Sequence, residues 1–229
     1  MRASQDGIFA EFEGDRWFGR NREALERFDP QDDPPLRLMD LYGLRPRRVL
    51  EVGAANGLRL ATIARQGGVR AVAVEPSAQA VTDGRARFPE VEFVRGEAHA
   101  VPVDASFDLI IANFVFHWID RARLLGSVAE IDRLLEDGGF LMIGDFCPPH
   151  PTRVAYHHLP EHRVYTYKQD YAAPFLASGL YLPVGFLAGD HASKRLLPAV
   201  ARESKAGVWL LRKSLSDGYA DRPFDGASR

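Results

Sequence analysis

Residues 48–60 read RVLEVGAANGLRL. Val49, Leu50 and Val52 form an apolar run broken only by Glu51, the pattern of a strand buried on both faces of a parallel sheet. The small-residue turn Gly53-Ala54-Ala55-Asn56-Gly57 follows, and a helix is expected directly behind it. Glycine at 53 and 57 allows a sharp bend and a close approach of backbone to ligand, while the first N–H groups of the helix offer an anion site. Strand, glycine turn and helix in this order open a nucleotide-binding α/β unit.

The next strand narrows the choice. Residues 70–74 (RAVAV) are buried strand material and lead into Glu75, placed where an acid grips ribose hydroxyls in such folds. The dinucleotide fingerprint G-x-G-x-x-G started at Gly53 fails at Ala55 and Leu58, so a nicotinamide-dependent reductase is disfavoured. Glu51, Gly53, Ala55 and Gly57, with alanine at the middle glycine position, resemble the acid-G-x-G-x-G motif of the class I S-adenosylmethionine-dependent methyltransferases. Glu75-Pro76-Ser77 is similar to that family's second motif. The resemblance implies S-adenosylmethionine as cofactor, held by Glu51, Gly53, Ala55, Asn56 and Gly57 in the first turn and by Glu75 and Pro76 after the second strand. It also implies that Glu97 and Ala98 receive the adenine.

The other strands follow the same rhythm. Helix is expected over 58–66 and 78–87 and strand over 91–95; 109–112 is a strongly apolar strand that runs into NFVFHWID. Asn113, Phe116, His117 and Trp118 therefore fall at the sheet end where α/β folds bind ligands, and aromatic rings there attract a sulfonium by roughly 0.5 to 2 kcal/mol. Residues 121–135 carry apolar side chains at helical spacing, and Asp137-Gly138-Gly139 precedes a fifth strand at 140–143. A strand at 181–187, a helical stretch at 192–202 and a final strand at 208–212 complete the expectation. It is a doubly wound, Rossmann-like α/β fold with a seven-stranded, mostly parallel sheet and one antiparallel C-terminal strand.

One domain is expected over 1–229. Residues 1–47 are a helical cap, with Trp17, Phe18, Arg20 and Asn21 as possible ligand contacts, and 48–145 are the cofactor-binding half. Residues 146–213 are a substrate-side insertion and C-terminal strands, and 214–229 a loose polar tail. The chain is 46% hydrophobic and 26% charged, ordinary for a folded protein, and its formal net charge of -2 gives no electrostatic reason to bind nucleic acid or an anionic membrane. The single cysteine, Cys147, excludes an internal disulfide and reads as a small apolar residue. No apolar run approaches the roughly 20 residues of a membrane span, and the acidic start MRASQDGIFAEFEGD lacks a secretory apolar core, so a cytoplasmic location is expected.

Methyl transfer is an in-line displacement in which alignment alone supplies roughly 7 to 11 kcal/mol of the barrier, so a base is needed chiefly for a hydroxyl acceptor. Candidate bases are His117, Asp145, His150, His157 and His158, with Tyr156 beside the last two. No metal is expected, because His158 and His162 stand four apart without a helix or a carboxylate pair to complete a ligand set. Asn113-Phe114-Val115-Phe116 lacks both prolines of the base-modifying methyltransferases. WFGRN and YHHLPEHRVYTYKQDY resemble small methyltransferases of bacterial polysaccharide or natural-product assembly, which implies a small-molecule acceptor, a sugar or other metabolite, methylated on oxygen rather than nitrogen. The alternative is a non-catalytic regulatory protein that binds S-adenosylmethionine or S-adenosylhomocysteine.

Overall fold

The computed structural model describes residues 4–191, 193, 195–197 and 204–222. The chain opens with α1 (Gln5–Ile8), a π-helical turn (Phe9–Glu13) and α2 (Gly14–Glu26), followed by α3 (Pro34–Leu41). Asp33 starts α3 by accepting from the Leu36 N–H at 3.1 Å, and prolines fill the first helical positions, where no N–H is needed. Then come β1 (Arg48–Val52), α4 (Leu58–Ala64), β2 (Arg70–Glu75), α5 (Ala78–Arg87), β3 (Val91–Arg95) and β4 (Phe107–Asn113). Next are a 3₁₀ turn (Phe116–Trp118), α6 (Leu124–Leu134) and β5 (Leu135–Phe146), and after them β6 (Thr152–Ala155), β7 (Tyr165–Lys168), α7 (Ala173–Ala177), β8 (Tyr181–Asp190), β9 (Arg195–Leu196) and β10 (Lys205–Lys213).

The main sheet has the order β3-β2-β1-β4-β5-β10-β8-β9. Pairing is parallel from β3 to β5, and β10 lies antiparallel between β5 and β8. The α/β class and the antiparallel C-terminal strand are as the sequence predicts, but among the described residues the sheet has eight strands rather than seven. The extra one, β9, pairs through only Gly189↔Leu196 and Asp190↔Arg195, too short to show a two-residue alternation. It also replaces helix at Arg195 and Leu196 within the expected helical stretch 192–202; residues 192, 194 and 198–202 lie outside the described residues. The insertion after β5 is not wholly irregular, since β6 and β7 form a hairpin. Nor is the tail loose at its start: Ser214 is buried, and its N–H bonds to the Leu180 carbonyl at 2.9 Å.

Side-chain alternation divides the core. Val49, Ala71, Ala73, Phe93, Leu109 and Ile111 face α3, α4 and α5, whereas Leu50, Val72, Val74, Ile110 and Ile143 face α6 and α7. Counting on by two from Val49, Ala73 and Ile111 puts Glu51, Glu75 and Asn113 on the first face, at the C-terminal ends of three neighbouring strands. The order β2-β1-β4 means that the chain turns one way after β1 and the other way at β4. That topological switch point is where open α/β sheets take ligands.

The N-terminal segment is clamped across this end. The Gln5 amide donates to the Trp118 and Tyr165 carbonyls at 2.6 and 2.8 Å, and its oxygen accepts from the Tyr165 N–H at 2.9 Å. Glu13 is fully buried and accepts from the Tyr156 hydroxyl at 2.8 Å and from Arg20. Asp15 accepts from the Ser77 hydroxyl at 2.6 Å, joining the cap to the start of α5. Among the described residues no helix is long and apolar enough to cross a membrane.

Candidate active site

A cleft of about 1160 Å³ runs over the C-terminal ends of the strands, beneath the N-terminal segment. The turn after β1 forms its floor. Gly53 and Gly57 have φ of +71° and +78°, and Ala55 has φ +48°. The Gly53 and Ala54 N–H groups donate to the Val74 carbonyl at 2.8 and 3.3 Å, and the Ala55 N–H donates to Glu75 Oε2 at 2.9 Å. The N–H groups of residues 53–55 are thus spent on protein acceptors, and the anion that Ala55 holds is Glu75.

Glu75 is buried, and its other oxygen accepts from the Ser77 N–H at 2.9 Å. Burial pushes its carboxyl up to about 7, and the two backbone donors pull against that rise. Glu51 is likewise pushed up to about 7 by burial, although Arg59 is ion-paired to it. Arg59 also holds Asp33 through Nη2 at 2.7 Å and Nε at 2.9 Å. Burial alone lowers the Arg59 pKa, but Asp33 and Glu51 together raise it by more. Both pKa values are raised, which favours the charge on Arg59 and disfavours it on Glu51; the contact geometry favours an ionised pair, with burial keeping Glu51 easy to protonate.

Of the residues predicted for the cofactor, Glu51, Gly53, Ala55, Asn56, Glu75, Pro76, Glu97, Ala98, Asn113 and Trp118 all line the cleft. Two do not. A Cβ on Gly57 would sit 2.6 Å from the Phe93 ring, so this glycine serves the turn and the packing of Phe93. Phe116 is 1% exposed and packs on Tyr171 with ring centres 5.4 Å apart, inside the core under α6 and α7. Asn56 reaches the cleft, but its amide nitrogen is tied to Asp83 at 2.9 Å. Of the cap residues, Trp17 and Asn21 line the cleft, while Phe18 is buried elsewhere and Arg20 is bound to Glu13.

Among the candidate bases, His117 is joined to Asp145. The His117 N–H donates to Asp145 Oδ2 at 3.0 Å, and ring Nδ1 lies 3.1 Å from Oδ1. A carboxylate so placed fixes the proton on Nδ1 and leaves Nε2 as the basic nitrogen. Asp145 itself is 4% exposed and reaches the cleft only through His117. His157 and His158 are exposed at the rim with ring centres 3.8 Å apart, and burial lowers the His158 pKa. Tyr156 lines the cleft beside them, with its hydroxyl donating to Glu13 and accepting from Arg20. His150 is exposed and Cys147 half-buried, both outside the cleft lining.

The sequence reading missed Arg59, Asp33, Phe114 and Phe146, all at the cleft. The signal for Asp33 was its place before Pro34-Pro35, a helix start; for Phe114 and Phe146 it was adjacency to Asn113 and Asp145. The cleft is also rich in unmet acceptors. Asp6 Oδ2, Glu51 Oε2, Asn56 Oδ1 and Asn113 Oδ1 are buried without a hydrogen-bond partner, and all four residues line it.

Fold and site define a doubly wound α/β domain with a nucleoside-sized, acceptor-rich crevice at its switch point. Residues 49–139 match the family described as "Methyltransferase domain". An uncharacterized methyltransferase of Mycobacterium tuberculosis is 34% identical over 125 residues, 54% of this chain and 49% of that one. The demethylmenaquinone methyltransferase of Beutenbergia cavernae is 33% identical over 113 residues, 48% and 46% of the two chains. The chain thus spans about half the length of the curated relatives it matches. The fold is similar to that of the Burkholderia thailandensis 1,6-didemethyltoxoflavin-N1-methyltransferase, with a TM-score of 0.67, 21% identity and 93% and 92% of the two chains covered. Over residues 49–139 the chain is thus similar to methyltransferase domains, and its fold is that of S-adenosylmethionine-dependent methyltransferases.

Proposed function

We propose that this protein binds S-adenosylmethionine in the cleft and transfers its methyl group to oxygen of a small-molecule acceptor. The observation that carries the reading is the row of Glu51, Glu75 and Asn113 on one face of the sheet at the C-terminal ends of three neighbouring strands, all lining the cleft. S-adenosylmethionine offers an ammonium, two ribose hydroxyls and an adenine amino group, all hydrogen donors. In this assignment Glu51 and Asn113 take the ammonium, Glu75 the ribose, and Glu97 with Ala98 the adenine edge. When bound, the cofactor supplies an electrophilic methyl group on a sulfonium. The chain's residues align the acceptor, exclude water beneath the 1–47 cap and, through His117 Nε2, remove the acceptor's proton. A base held this way suits a hydroxyl, which must lose its proton as it reacts. The 48–145 half holds the donor and supplies His117 to the acceptor, and the segment after it completes the acceptor side, in one domain. A net charge of -2 supports a small acceptor over nucleic acid.

Isothermal titration with S-adenosylhomocysteine tests this, and micromolar binding is expected. No heat at millimolar ligand sinks the proposal. Glu75→Ala should weaken binding by about 1.5 to 3 kcal/mol, as for hydrogen bonds to a charged group.

The pH dependence follows from Glu75. Its folded pKa of about 7 lies above the usual 4.5, so the free protein binds the extra proton when folded. This contribution to stability is greatest at low pH, declines between about 4.5 and 7 and is flat beyond. Ribose hydroxyls favour the ionised form, so ligand must release protons near pH 7. Calorimetry in buffers of different ionisation enthalpy reads that release directly, and uptake instead of release contradicts the assignment.

A further inference from the structure

Past the switch point the cleft continues over β4, β5 and β10, and its character changes. Phe114, His117, Phe146 and His191 all line this end. Their rings form a connected set: Phe114 to Phe146 is 5.4 Å, Phe146 to His117 5.3 Å, Phe146 to His191 4.6 Å and Phe114 to His191 4.9 Å between centres. Phe114 is held with φ +57°, a left-handed conformation that a bulky side chain adopts only at a cost. Its N–H is fixed by the Gly144 carbonyl at 2.8 Å, so the end of β5 enforces the strained placement of this ring.

We propose that the acceptor is a flat aromatic or heteroaromatic molecule carrying an ionisable O–H, held against Phe114 and Phe146. The inference rests on the methyl-transfer reading above and names its substrate class. Two other occupants of a ring-lined pocket fit less well. A quaternary ammonium would compete with the Lys168 ammonium, which already lies 4.3 Å from the Phe146 ring centre. A sugar would set a ring of hydroxyls over Phe146, Ala206 and Val208, where most of them meet apolar surface. A flat ring meets the phenylalanines face or edge on, with no polar group to satisfy. Its acidic proton goes to His117 Nε2 as the heteroatom's electron pair forms the bond to the methyl carbon. The C–S pair returns to sulfur, leaving a neutral thioether, methylated acceptor and an imidazolium balanced by Asp145.

The test is calorimetric titration of the full chain with 4-nitrophenol, methyl glucoside and choline, each with and without saturating S-adenosylhomocysteine. 4-Nitrophenol is expected to bind at least tenfold more tightly than either other probe, and Phe146→Leu to weaken it at least fivefold with the affinity for S-adenosylhomocysteine kept. His117→Asn preserves a donor to Asp145 and removes Nε2; it should leave 4-nitrophenol binding intact and slow the methylation of phenol, which keeps its proton at neutral pH, at least 100-fold. Equal or tighter binding of the glucoside or choline overturns the proposal, as does unchanged 4-nitrophenol affinity in Phe146→Leu. Should S-adenosylhomocysteine itself not bind, the donor reading falls, and the probe comparison on the free protein still decides the ring pocket.

Discussion

Replacing Arg59 with methionine is expected to cost about 3 to 5 kcal/mol of folding stability, the usual loss when one partner of a buried ion pair is removed. The guanidinium is the only cation paired with Glu51 and Asp33 among the described residues, and these carboxylates are 2% and 7% exposed. Methionine fills much of the space but leaves both acids buried without a counter-charge. An orphaned buried acid escapes by taking up a proton, and burial already holds Glu51 at about 7 with Arg59 present. Without Arg59 its pKa must rise further, so the loss should be larger at pH 8.5 than at pH 6. In a Glu51→Gln background the same substitution should cost less, since one of the two charges is already gone. Urea denaturation at the two pH values reads all of this. A loss below about 1 kcal/mol that is the same at both would mean that water reaches these carboxylates, contrary to their burial.

Arg59 also shows where sequence reading stops. Its partner Asp33 is 26 residues away, and no periodicity in a seven-residue helix marks which side chain turns inward. By contrast, the strand at 91–95 and the helix at 78–87 have the bounds read from the sequence, because alternation and the Ser77 cap are local signals. The turn after β1 was legible for the same reason, glycines at positions that need positive φ. NFVFHW failed in an instructive way. Phe114 and Phe116 are two apart, and simple continuation of β4 would treat them alike. The left-handed backbone at Phe114 breaks that alternation, sending Phe116 into the core and leaving Phe114 at the cleft. Positive φ at a non-glycine residue leaves no mark in the sequence, so the wrong phenylalanine was chosen. The pairing of His117 with Asp145 was hidden as well, because it depends on β4 and β5 being neighbours in register, Asn113 opposite Gly144.

Gly53→Val is expected to abolish S-adenosylhomocysteine binding, a loss of more than 100-fold, for a reason that the structure makes more specific than a blocked ligand. At φ +71° any side chain is strained, a β-branched one most of all. A Cβ built there runs into Val115 Cγ2, so the first thing displaced is the β4-end loop that carries Phe114 and His117. The turn and that loop therefore touch through a point that tolerates no side chain, and a change at Gly53 is expected to reach Phe114 and His117. Gly53→Ala separates clash from strain. Alone it should weaken S-adenosylhomocysteine binding at least tenfold, and combined with Val115→Ala, which removes the obstructing methyl, it should recover a large part of that loss. Circular dichroism and urea denaturation establish that each variant is folded before its affinity is compared. Recovery in the double variant assigns the effect to packing between turn and loop. Equal weakness with and without Val115→Ala would place the new methyl in the ligand's own space, and unimpaired binding in Gly53→Val would remove the turn from the site altogether.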